Sequence, residues 1–508
     1  MQHQLVSVID FGGQYTQLIV RRVREQGCYS EMVPWQQAEA HILDRKPTAV
    51  ILSGGPRSTL EPDAPTINFD LIKDLPVLGI CYGQQLMAKN LGGEVHKSTE
   101  REYGKRHLGP RTPGTLVDTL KNDLVWMSHG DKVTHVPPGF IVTTSTESCP
   151  VAAMENLSTK KFGVQFHPEV THTPDGRDLL KAFLFNHAGL KGDWTPQNFI
   201  DDTLKSIRET VGNEKVLCAV SGGVDSSVVA ALLSESVGSQ TTCVFVDHGL
   251  LRKGEAEQVH ETFTKTFHPN LIVINALEQF FSELKGITEP EQKRKVIGEN
   301  FVICFERNKA VLESHDFLAQ GTLYPDVIES GSSTASKIKT HHNVGGLPDW
   351  MKLKVIEPLR WLFKDEVREV GRALGLSSEV VDREPFPGPG LGVRILGEVT
   401  PERVKITQEA DWIFREELRK SGLNKGIWQS YAALLDVRSV GVMGDERTYE
   451  QPIVLRAVTS EDAMTAQAFP FAFEFLEHVA NRIVNEVDGV NRVLYDLTSK
   501  PPATIEWE

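Results

Sequence analysis

Short apolar runs alternate with amphipathic segments in the first part of the chain, and this alternation predicts its fold. Strands are predicted where apolar residues run unbroken, at Leu5–Ile9, Ala49–Leu52 and Val77–Ile80. Tyr15–Gln26 and Gln84–Leu91 have the spacing of amphipathic helices. Because strands that alternate with helices form parallel sheets covered on both faces, we expect a doubly wound α/β domain here.

A second series of strands and helices follows Leu190–Pro196, a segment with Gly and Pro that we interpret as a linker. It predicts a second doubly wound parallel sheet. Its predicted strands are Lys215–Val220, Thr242–Val246, Leu271–Asn275 and Phe317–Gln320.

The run Pro385–Gly392 is the richest in Pro and Gly, and it cannot extend a helix or a central strand. Beyond it we predict helices at Pro401–Ser421 and Phe471–Val487, and strands at Ala433–Val442 and Gln451–Ala457. These elements predict a smaller C-terminal α/β domain. The predicted domains are residues 1–193, 194–383 and 384–508.

Composition and charge argue against several classes of protein, including nucleic-acid-binding, membrane and secreted proteins. The chain has 508 residues and a formal net charge of −14, which disfavours a broad nucleic-acid surface and anionic membranes. No apolar stretch reaches the roughly 18 residues of a membrane-spanning helix, and no signal peptide is evident. The six cysteines are scattered without a CxxC pair. We therefore expect a cytoplasmic protein without disulfides or structural zinc.

Cys81 is the first candidate for chemistry. It stands in the string Gly-Ile-Cys-Tyr-Gly between a predicted strand and a predicted helix. Glycines two residues away on either side relieve the crowding of such a turn, and the helix N-terminus favours a thiolate. The alternative is a buried cysteine in an ordinary strand–helix turn.

Two further strings contain candidates for the general base and for the oxyanion-stabilising groups that a cysteine nucleophile requires. His167 and Glu169, in Phe-His-Pro-Glu, project to the same side of an extended chain, so the carboxylate can orient the imidazole. Ser53–Pro56, Ser-Gly-Gly-Pro, can aim backbone N–H groups at a developing oxyanion. Each string alone is also typical of a plain turn. All three follow predicted strands of one parallel sheet, where α/β active sites gather.

Residues 1 to about 193 resemble the class I glutamine amidotransferase domain through these three strings. The resemblance implies that Cys81 attacks the side-chain amide of glutamine, His167 transfers the proton and Glu169 orients His167. It assigns the oxyanion hole to the backbone of Gly55 and Tyr82. The residues that it implies for holding glutamine are Gln85, Ser128, His129, Gly130 and Asp131.

A second constellation follows the predicted strand Lys215–Val220: the string Ser-Gly-Gly-Val-Asp-Ser-Ser at Ser221–Ser227, then an apolar helix. Its glycines let the backbone wrap around phosphate oxygens at a helix N-terminus. The Gly-Lys-Ser/Thr of a Walker A motif is absent, which favours release of pyrophosphate with AMP transfer. Asp225 is a candidate Mg²⁺ ligand. The alternative is a βα turn with a Ser-rich helix cap.

This string resembles the N-type ATP pyrophosphatase family, which implies ATP as a co-substrate. The candidate ATP-binding residues are Ser221, Gly222, Gly223, Val224, Asp225, Ser226, Ser227 and Val246.

Four further strings resemble the GMP synthetase family: residues 323–330, 338–343, 383–391 and 500–508. That family aminates XMP, whose 5′-phosphate Lys500 can neutralise and whose sugar or base Glu506 can hydrogen-bond. The resemblance implies XMP contacts for Arg252 and Asp326 as well. A predicted lid, residues 337–343, would close over the triphosphate and exclude water. The candidate lid and phosphate contacts are Lys337, Lys339, His341, His342 and Lys364.

The resemblance implies a glutamine-dependent ligase that forms adenyl-XMP and then GMP, with glutamine, ATP and XMP as its small molecules. It also implies a homodimer and no nucleic-acid or membrane partner. Two alternatives stay open at the level of sequence. One is another glutamine-dependent pyrophosphatase ligase, making NAD or modifying tRNA; the other is a catalytically inactive glutamine or nucleotide sensor.

Overall fold

The computed structural model describes residues 3–264, 270–308, 314–330, 353–443, 445–460 and 465–508. It divides into two compact units, Met1–Phe199 and Ile200–Glu508. The two sheet domains expected from the alternating pattern belong to different units.

A seven-stranded sheet forms the centre of the first unit, in the order β2-β1-β3-β4-β9-β8-β7. Five strands from β2 to β9 are parallel, and β8 and β7 add an antiparallel edge. The central strands are buried on both faces, which is why they are unbroken apolar runs. The strands are β1 Leu5–Asp10, β2 Tyr29–Pro34, β3 Ala49–Leu52, β4 Val77–Ile80, β7 Ile141–Thr144, β8 Ala153–Asn156 and β9 Lys161–Val164.

Helices and a separate hairpin complete this unit. The hairpin pairs β5, Glu94–His107, with β6, Leu124–His135, and both strands carry residues used below. The helices are α1 Thr16–Glu25, α2 Ala38–Arg45, α3 Tyr82–Asn90 and α4 Gly176–Ala182, which continues as a π-helical turn, Phe183–His187.

The second unit contains a five-stranded, wholly parallel sheet in the order β12-β11-β10-β13-β14. Its strands are β10 Val216–Val220, β11 Thr241–Asp247, β12 Asn270–Asn275, β13 Phe317–Ala319 and β14 Lys354–Ile356. Its helices are α5 Pro196–Val211, which crosses the boundary between the units, α6 Val224–Val237, α7 Glu255–Thr262, α8 Leu277–Leu284, α9 Pro290–Arg307, α10 Tyr324–Ser330, α11 Lys364–Ala373 and α12 Ser378–Val381.

The C-terminal part of this unit has a mixed sheet built around one long strand, to which β15, β16 and β18 pair antiparallel and β19 parallel. The single predicted strand Ala433–Val442 is wrong: the chain turns at residues 435–438 and forms two separate strands. The elements are α13 Pro401–Lys420, β15 Gln429–Leu434, β16 Ser439–Met443, β17 Glu446–Thr459, β18 Gln467–Ala468, α14 Phe473–Glu486 and β19 Val490–Tyr495.

One hydrophobic cluster joins the parallel sheet of the second unit to its C-terminal part. Leu250 and Phe280 belong to the same buried cluster as Phe414 and Leu455. The predicted boundary near residue 384 therefore crosses a continuous core. The three-domain division stays a prediction.

The predicted linker packs onto the first unit. Trp194 is buried, its ring lies 4.6 Å from that of Tyr29 and 5.6 Å from that of Phe199. All six cysteines are free and buried, as expected for a chain without disulfides. Among the described residues, every helix is too short or too polar to cross a bilayer.

Lys161 is a buried cation whose ammonium lies in a cage of backbone carbonyl groups. Its Nζ donates to the carbonyl oxygens of Ile72 at 3.1 Å, Lys73 at 2.9 Å, Leu75 at 2.6 Å and Thr159 at 3.2 Å. The ammonium therefore supplies hydrogen bonds to carbonyls in a buried or partly buried environment.

Lys161→Met should therefore leave the carbonyl oxygens unsatisfied and destabilise the first unit by about 2–4 kcal/mol. Calorimetry of the full chain would show one transition at lower temperature. The exposed Lys181→Met serves as the matched control. Equal transition temperatures for the two variants would contradict the role of the cage.

Candidate active sites

The backbone turn at Cys81 presents the thiol at the N-terminus of α3. Strand β4 ends at Ile80 and α3 begins at Tyr82, so Cys81 makes the whole connection, with φ 52° and ψ −105°. This conformation is strained for a residue with a side chain. It is made possible by Gly83, where a Cβ would lie 2.2 Å from the carbonyl oxygen of Leu52. The predicted strand–turn–helix is confirmed.

His167 and Glu169 lie together as the spacing predicted. Nδ1 of His167 is 2.7 Å from Oε1 of Glu169, and both residues are buried. The side chain of Cys81 interacts with that of His167 strongly enough to raise the pKa of the imidazole. The ring of Tyr15 packs edge-on at 5.1 Å and limits rotation of the imidazole. Thiol, imidazole and carboxylate thus form a chain suited to nucleophilic catalysis.

Burial opposes a charge on His167, but the charge of Glu169, the hydrogen bond that the ring donates to Glu169 and the interaction with Cys81 outweigh it. The pKa of His167 is therefore raised well above its ordinary value. At neutral pH the ring carries a proton, which is the form that can protonate a departing amine.

The Ser-Gly-Gly-Pro turn lies against the same centre. A Cβ on Gly54 would be 3.2 Å from Cε1 of His167, and one on Gly55 would be 3.3 Å from the ring of Tyr82. Two candidate oxyanion donors, the backbone N–H groups of Gly55 and Tyr82, therefore belong to neighbouring segments beside Cys81.

Strand β6 brings the candidate glutamine residues to the nucleophile. The thiol of Cys81 donates to the carbonyl of Ser128 at 3.6 Å. Gln85 donates to the carbonyl of Asp131 at 2.7 Å and to Oε1 of Gln165 at 3.1 Å. Gln85 is buried, so its amide holds the strand in place. Gly130 has open space around its Cα, which suits close approach of a ligand.

The phosphate loop of the second unit has the conformation expected of an anion cradle. Gly222 has φ 74°, and a Cβ there would lie 2.4 Å from Val259. The hydroxyl of Ser226 accepts from the N–H of Ser221 at 3.2 Å, and Ser227 donates to the carbonyl of Gly223 at 2.9 Å. These bonds hold the loop at the N-terminus of α6, which Val224 begins.

Two charged side chains meet at this loop. Lys364, the first residue of α11, contacts Oδ2 of Asp225. Oδ1 of Asp225 is buried and has no hydrogen-bond partner among the described residues. An unsatisfied carboxylate oxygen beside a phosphate loop fits a hard divalent cation.

The remaining candidate residues for ATP, XMP and the lid have different surroundings. Val246 is buried in the shared hydrophobic cluster at the end of β11. Asp326 accepts from the N–H of Leu323 at 3.0 Å and caps the start of α10. The lid candidates Lys337, Lys339, His341 and His342 lie outside the described residues.

Arg252 is buried beside the Pro/Gly run. A Cβ on Gly390 would be 2.3 Å from the carbonyl oxygen of Leu250, and this close approach brings the Phe386 ring to 4.6 Å from the guanidinium. None of the three guanidinium nitrogens has a hydrogen-bond partner in the described part of the chain, and Asp411 is 3.6 Å away. Burial and the nearby Arg415 lower the pKa of Arg252 well below its ordinary value.

Two residues that sequence reasoning missed hold Glu506 close to the same Pro/Gly run. Arg394, fully buried, donates to both its oxygens at 3.1 and 3.0 Å, and Gln429 donates to Oε1 at 2.5 Å. Arg394 lies 5.1 Å from the Phe386 ring that also covers Arg252. The backbone of Lys500 pairs with Ala466. No local motif marks Arg394 or Gln429, although Arg394 follows the Pro/Gly run closely.

Comparison with known proteins agrees with both constellations. Residues 7–187 match the class-I glutamine amidotransferase model, and residues 416–507 match the GMP synthase C-terminal domain model. Residues 214–277, which include the phosphate loop, match the tRNA methyl transferase HUP domain model.

Curated relatives match along the entire chain. The glutamine-hydrolyzing GMP synthase of Symbiobacterium thermophilum is 56% identical, covering 100% of this chain and 99% of its own length. The chain belongs to the glutamine-hydrolyzing GMP synthase family. The enzymes of the same name from Carboxydothermus hydrogenoformans and Geobacillus kaustophilus are each 55% identical, covering 99% and 100% of both chains respectively.

Membership of the GMP synthase family decides between the alternatives left open by the sequence. Ligases that make NAD or modify tRNA, and an inactive sensor, are set aside, since the chain is a GMP synthase with glutaminase activity that uses ATP. The expected α/β class, with parallel-sheet domains and a C-terminal domain, is confirmed.

Glu169→Gln should lower the pKa of His167, because it removes the negative charge that favours the imidazolium. The ring would then lose its proton at a lower pH than in the unchanged protein, and glutamine-driven turnover should fall about 10²–10⁴-fold. A ¹⁵N-histidine NMR titration measures the first effect and a glutaminase assay the second. An unchanged titration midpoint would contradict the pairing.

Proposed function

We propose that the chain makes GMP from XMP, consuming ATP and glutamine and releasing AMP, pyrophosphate and glutamate, with the two constellations dividing the work. The observation that carries the assignment of the first site is the buried His167–Glu169 bond, 2.7 Å long, beside the strained thiol of Cys81. The full-length family match supports the overall reaction.

In the first half reaction, the sulfur of Cys81 attacks the side-chain amide carbon of glutamine. The backbone N–H groups of Gly55 and Tyr82 stabilise the oxyanion, and His167 protonates the departing nitrogen. Ammonia leaves and a thioester remains. His167 then removes a proton from water, which cleaves the thioester to glutamate and restores the thiol.

In the second half reaction, O2 of the xanthine ring attacks the α-phosphorus of ATP and pyrophosphate leaves, giving adenyl-XMP. The loop Ser221–Ser227 holds the phosphates through backbone N–H groups and hydroxyls, and Val246 borders the adenine. Ammonia then attacks C2 of the ring and expels AMP. Converting O2 into a phosphate ester makes it a better leaving group than an oxide.

We propose Asp225 as the Mg²⁺ ligand at this loop, because its Oδ1 is buried and otherwise unsatisfied among the described residues. The ion would neutralise phosphate charge as pyrophosphate departs. Lys364, now paired with Asp225, would turn to the phosphates when ATP binds.

XMP is proposed to bind near Arg252 and Glu506, which are connected through the Phe386 ring and Arg394. The guanidinium of Arg252 makes no hydrogen bond among the described residues and has Asp411 at 3.6 Å, so an anionic or carbonyl-bearing ligand would satisfy its donors. Glu506 is held by Arg394 and Gln429 and can accept from sugar hydroxyls. Asp326 and Lys500 complete the set.

A homodimer through the C-terminal part and a cytoplasmic location belong to the same proposal. Val440 and Val442 project to one side of β16, and Tyr449 is the cross-strand partner of Val440. Their exposures, 54%, 72% and 54%, make an apolar patch that a second copy can cover. Six free cysteines support a reducing compartment.

Cys81→Ala should abolish glutamine-driven GMP synthesis and leave ammonium-driven synthesis within about twofold, because the ligase chemistry does not use the thiol. Following XMP loss by absorbance with each nitrogen source separates the two activities. Equal loss of both would refute the division of labour.

Arg252→Met should raise the KM for XMP about 10–100-fold, since a buried charged donor set is lost. The KM for ATP should change little. Arg372→Met, at an arginine whose side chain is 53% exposed, is the matched control. An unchanged KM for XMP would remove Arg252 from the acceptor site.

A further inference from the structure

A second imidazole–carboxylate pair lies in the amidotransferase unit, apart from His167 and Glu169. Glu102 on β5 is the cross-strand partner of His129 on β6, and Oε2 of Glu102 is 2.9 Å from Nε2 of His129. Glu102 is 1% exposed and His129 is 5% exposed. The pair is therefore buried inside the protein and does not form an ion pair on its surface.

The other nitrogen of His129 holds the strand that faces Cys81. Nδ1 is 3.0 Å from the carbonyl oxygen of Asp131, and the same carbonyl accepts from Gln85 at 2.7 Å. Both ring nitrogens are thus occupied inside the protein. The side chain of His129 has no nitrogen left for the substrate, so a part in holding glutamine would act through the segment Ser128–Asp131.

Glu102 is anchored in turn by the segment that follows β7. Its Oε1 accepts from the hydroxyl of Thr146 at 2.9 Å and from that of Ser148. Burial raises the pKa of Glu102, but the hydrogen bonds from Ser148, Thr146 and His129 outweigh it and lower the pKa below its ordinary value. Glu102 is therefore ionised.

Both partners of His129 are hydrogen-bond acceptors. A carbonyl oxygen and an ionised carboxylate each pair with a ring nitrogen that carries a proton. Burial lowers the pKa of His129 below its ordinary value, although the charge of Glu102 and the hydrogen bonds to Glu102 and the Asp131 carbonyl oppose this effect. Glu102 is therefore the partner whose charge offsets part of the cost of burying the ring.

Cys149 lies close to this pair: ligand atoms of Glu102, His129 and Cys149 are within 4.8 Å of one another. Because both oxygens of Glu102 and both nitrogens of His129 already have hydrogen-bond partners, the cluster is satisfied as a proton-sharing network.

We propose that Glu102 and His129 are a positioning pair for the glutaminase. The carboxylate orients the imidazole of His129, which fixes the segment Ser128–Asp131 against the thiol and the bound glutamine. The segment also contacts the thiol through the Ser128 carbonyl at 3.6 Å. The inference rests on the proposed function of Cys81, and it assigns to Glu102 a part in substrate binding although the carboxylate touches no reacting atom.

The test compares Glu102→Ala, Glu102→Gln and Cys81→Ala in the full chain. The matched control is Glu155→Ala, which removes another buried carboxylate of the same unit; its Oε2 accepts only from the N–H of Leu116 at 2.9 Å. Each variant is assayed for KM and kcat with glutamine, for ammonium-driven GMP synthesis, and for alkylation of Cys81 by iodoacetamide.

Glu102→Ala should raise the KM for glutamine about tenfold, the effect of one or two lost hydrogen bonds, with a smaller change in kcat. Ammonium-driven synthesis should be unchanged. Glu102→Gln should restore the KM to within about threefold, because its amide can accept from the hydroxyls and donate to a neutral His129. ¹⁵N-histidine spectra should show a lower titration midpoint for His129 in Glu102→Gln than in the unchanged protein, because the negative charge that favours the protonated ring is lost.

An unchanged KM for glutamine in Glu102→Ala, or an equal rise of that KM in Glu155→Ala, would contradict the proposed positioning role of Glu102 and His129. If Glu102→Ala does not fold, Glu102→Asp, which draws the carboxylate away from the ring, should raise the KM in the same direction, and an unchanged KM there would also overturn it. Glutamine-driven synthesis that survives Cys81→Ala would instead contradict the proposed function.

Discussion

The close approach of α3 to β3 is the constraint on which the amidotransferase site depends. At Gly83 the helix backbone leaves no room for a Cβ beside the carbonyl oxygen of Leu52, and this contact forces the single-residue connection at Cys81. The thiol is thereby fixed at a helix N-terminus and next to His167. Strand β6 then closes the site from the other side through Ser128 and Asp131.

Buried charged groups differ in how fully their hydrogen bonds are satisfied. Lys161 directs its ammonium at carbonyl oxygens, and Arg394 directs two of its three guanidinium nitrogens at the carboxylate of Glu506. Arg252 is equally buried, but none of its nitrogens has a hydrogen-bond partner among the described residues, and Asp411 is an ion-pair partner at 3.6 Å; Asp225 likewise keeps one unsatisfied oxygen. Unsatisfied polar groups of this kind are expensive in a folded protein and are typical of sites completed by a ligand.

Short sequence motifs predicted most of the fold and the centres of both candidate sites, because the residues that form a strand, the next turn and the next helix follow one another in the chain. The strands at Ala49–Leu52 and Val77–Ile80 and the His167–Glu169 contact were of this kind. The break after Leu434 was missed, because Val437 and Val440 keep the apolar pattern although they are exposed. The pairing of Glu102 with His129 depends on the register of a long hairpin, and no short string encodes a register.

The hydrophobic cluster that runs from Leu250 and Phe280 to Phe414 and Leu455 has a consequence for dissecting the chain. A truncation between residues 383 and 384 would divide this cluster and expose apolar surface on both fragments. Such fragments would tend to aggregate or to need each other in trans, as the halves of a split protein do. The parallel sheet and the C-terminal sheet of this unit thus share one apolar core, and a cut at residue 384 separates packing partners rather than independent domains.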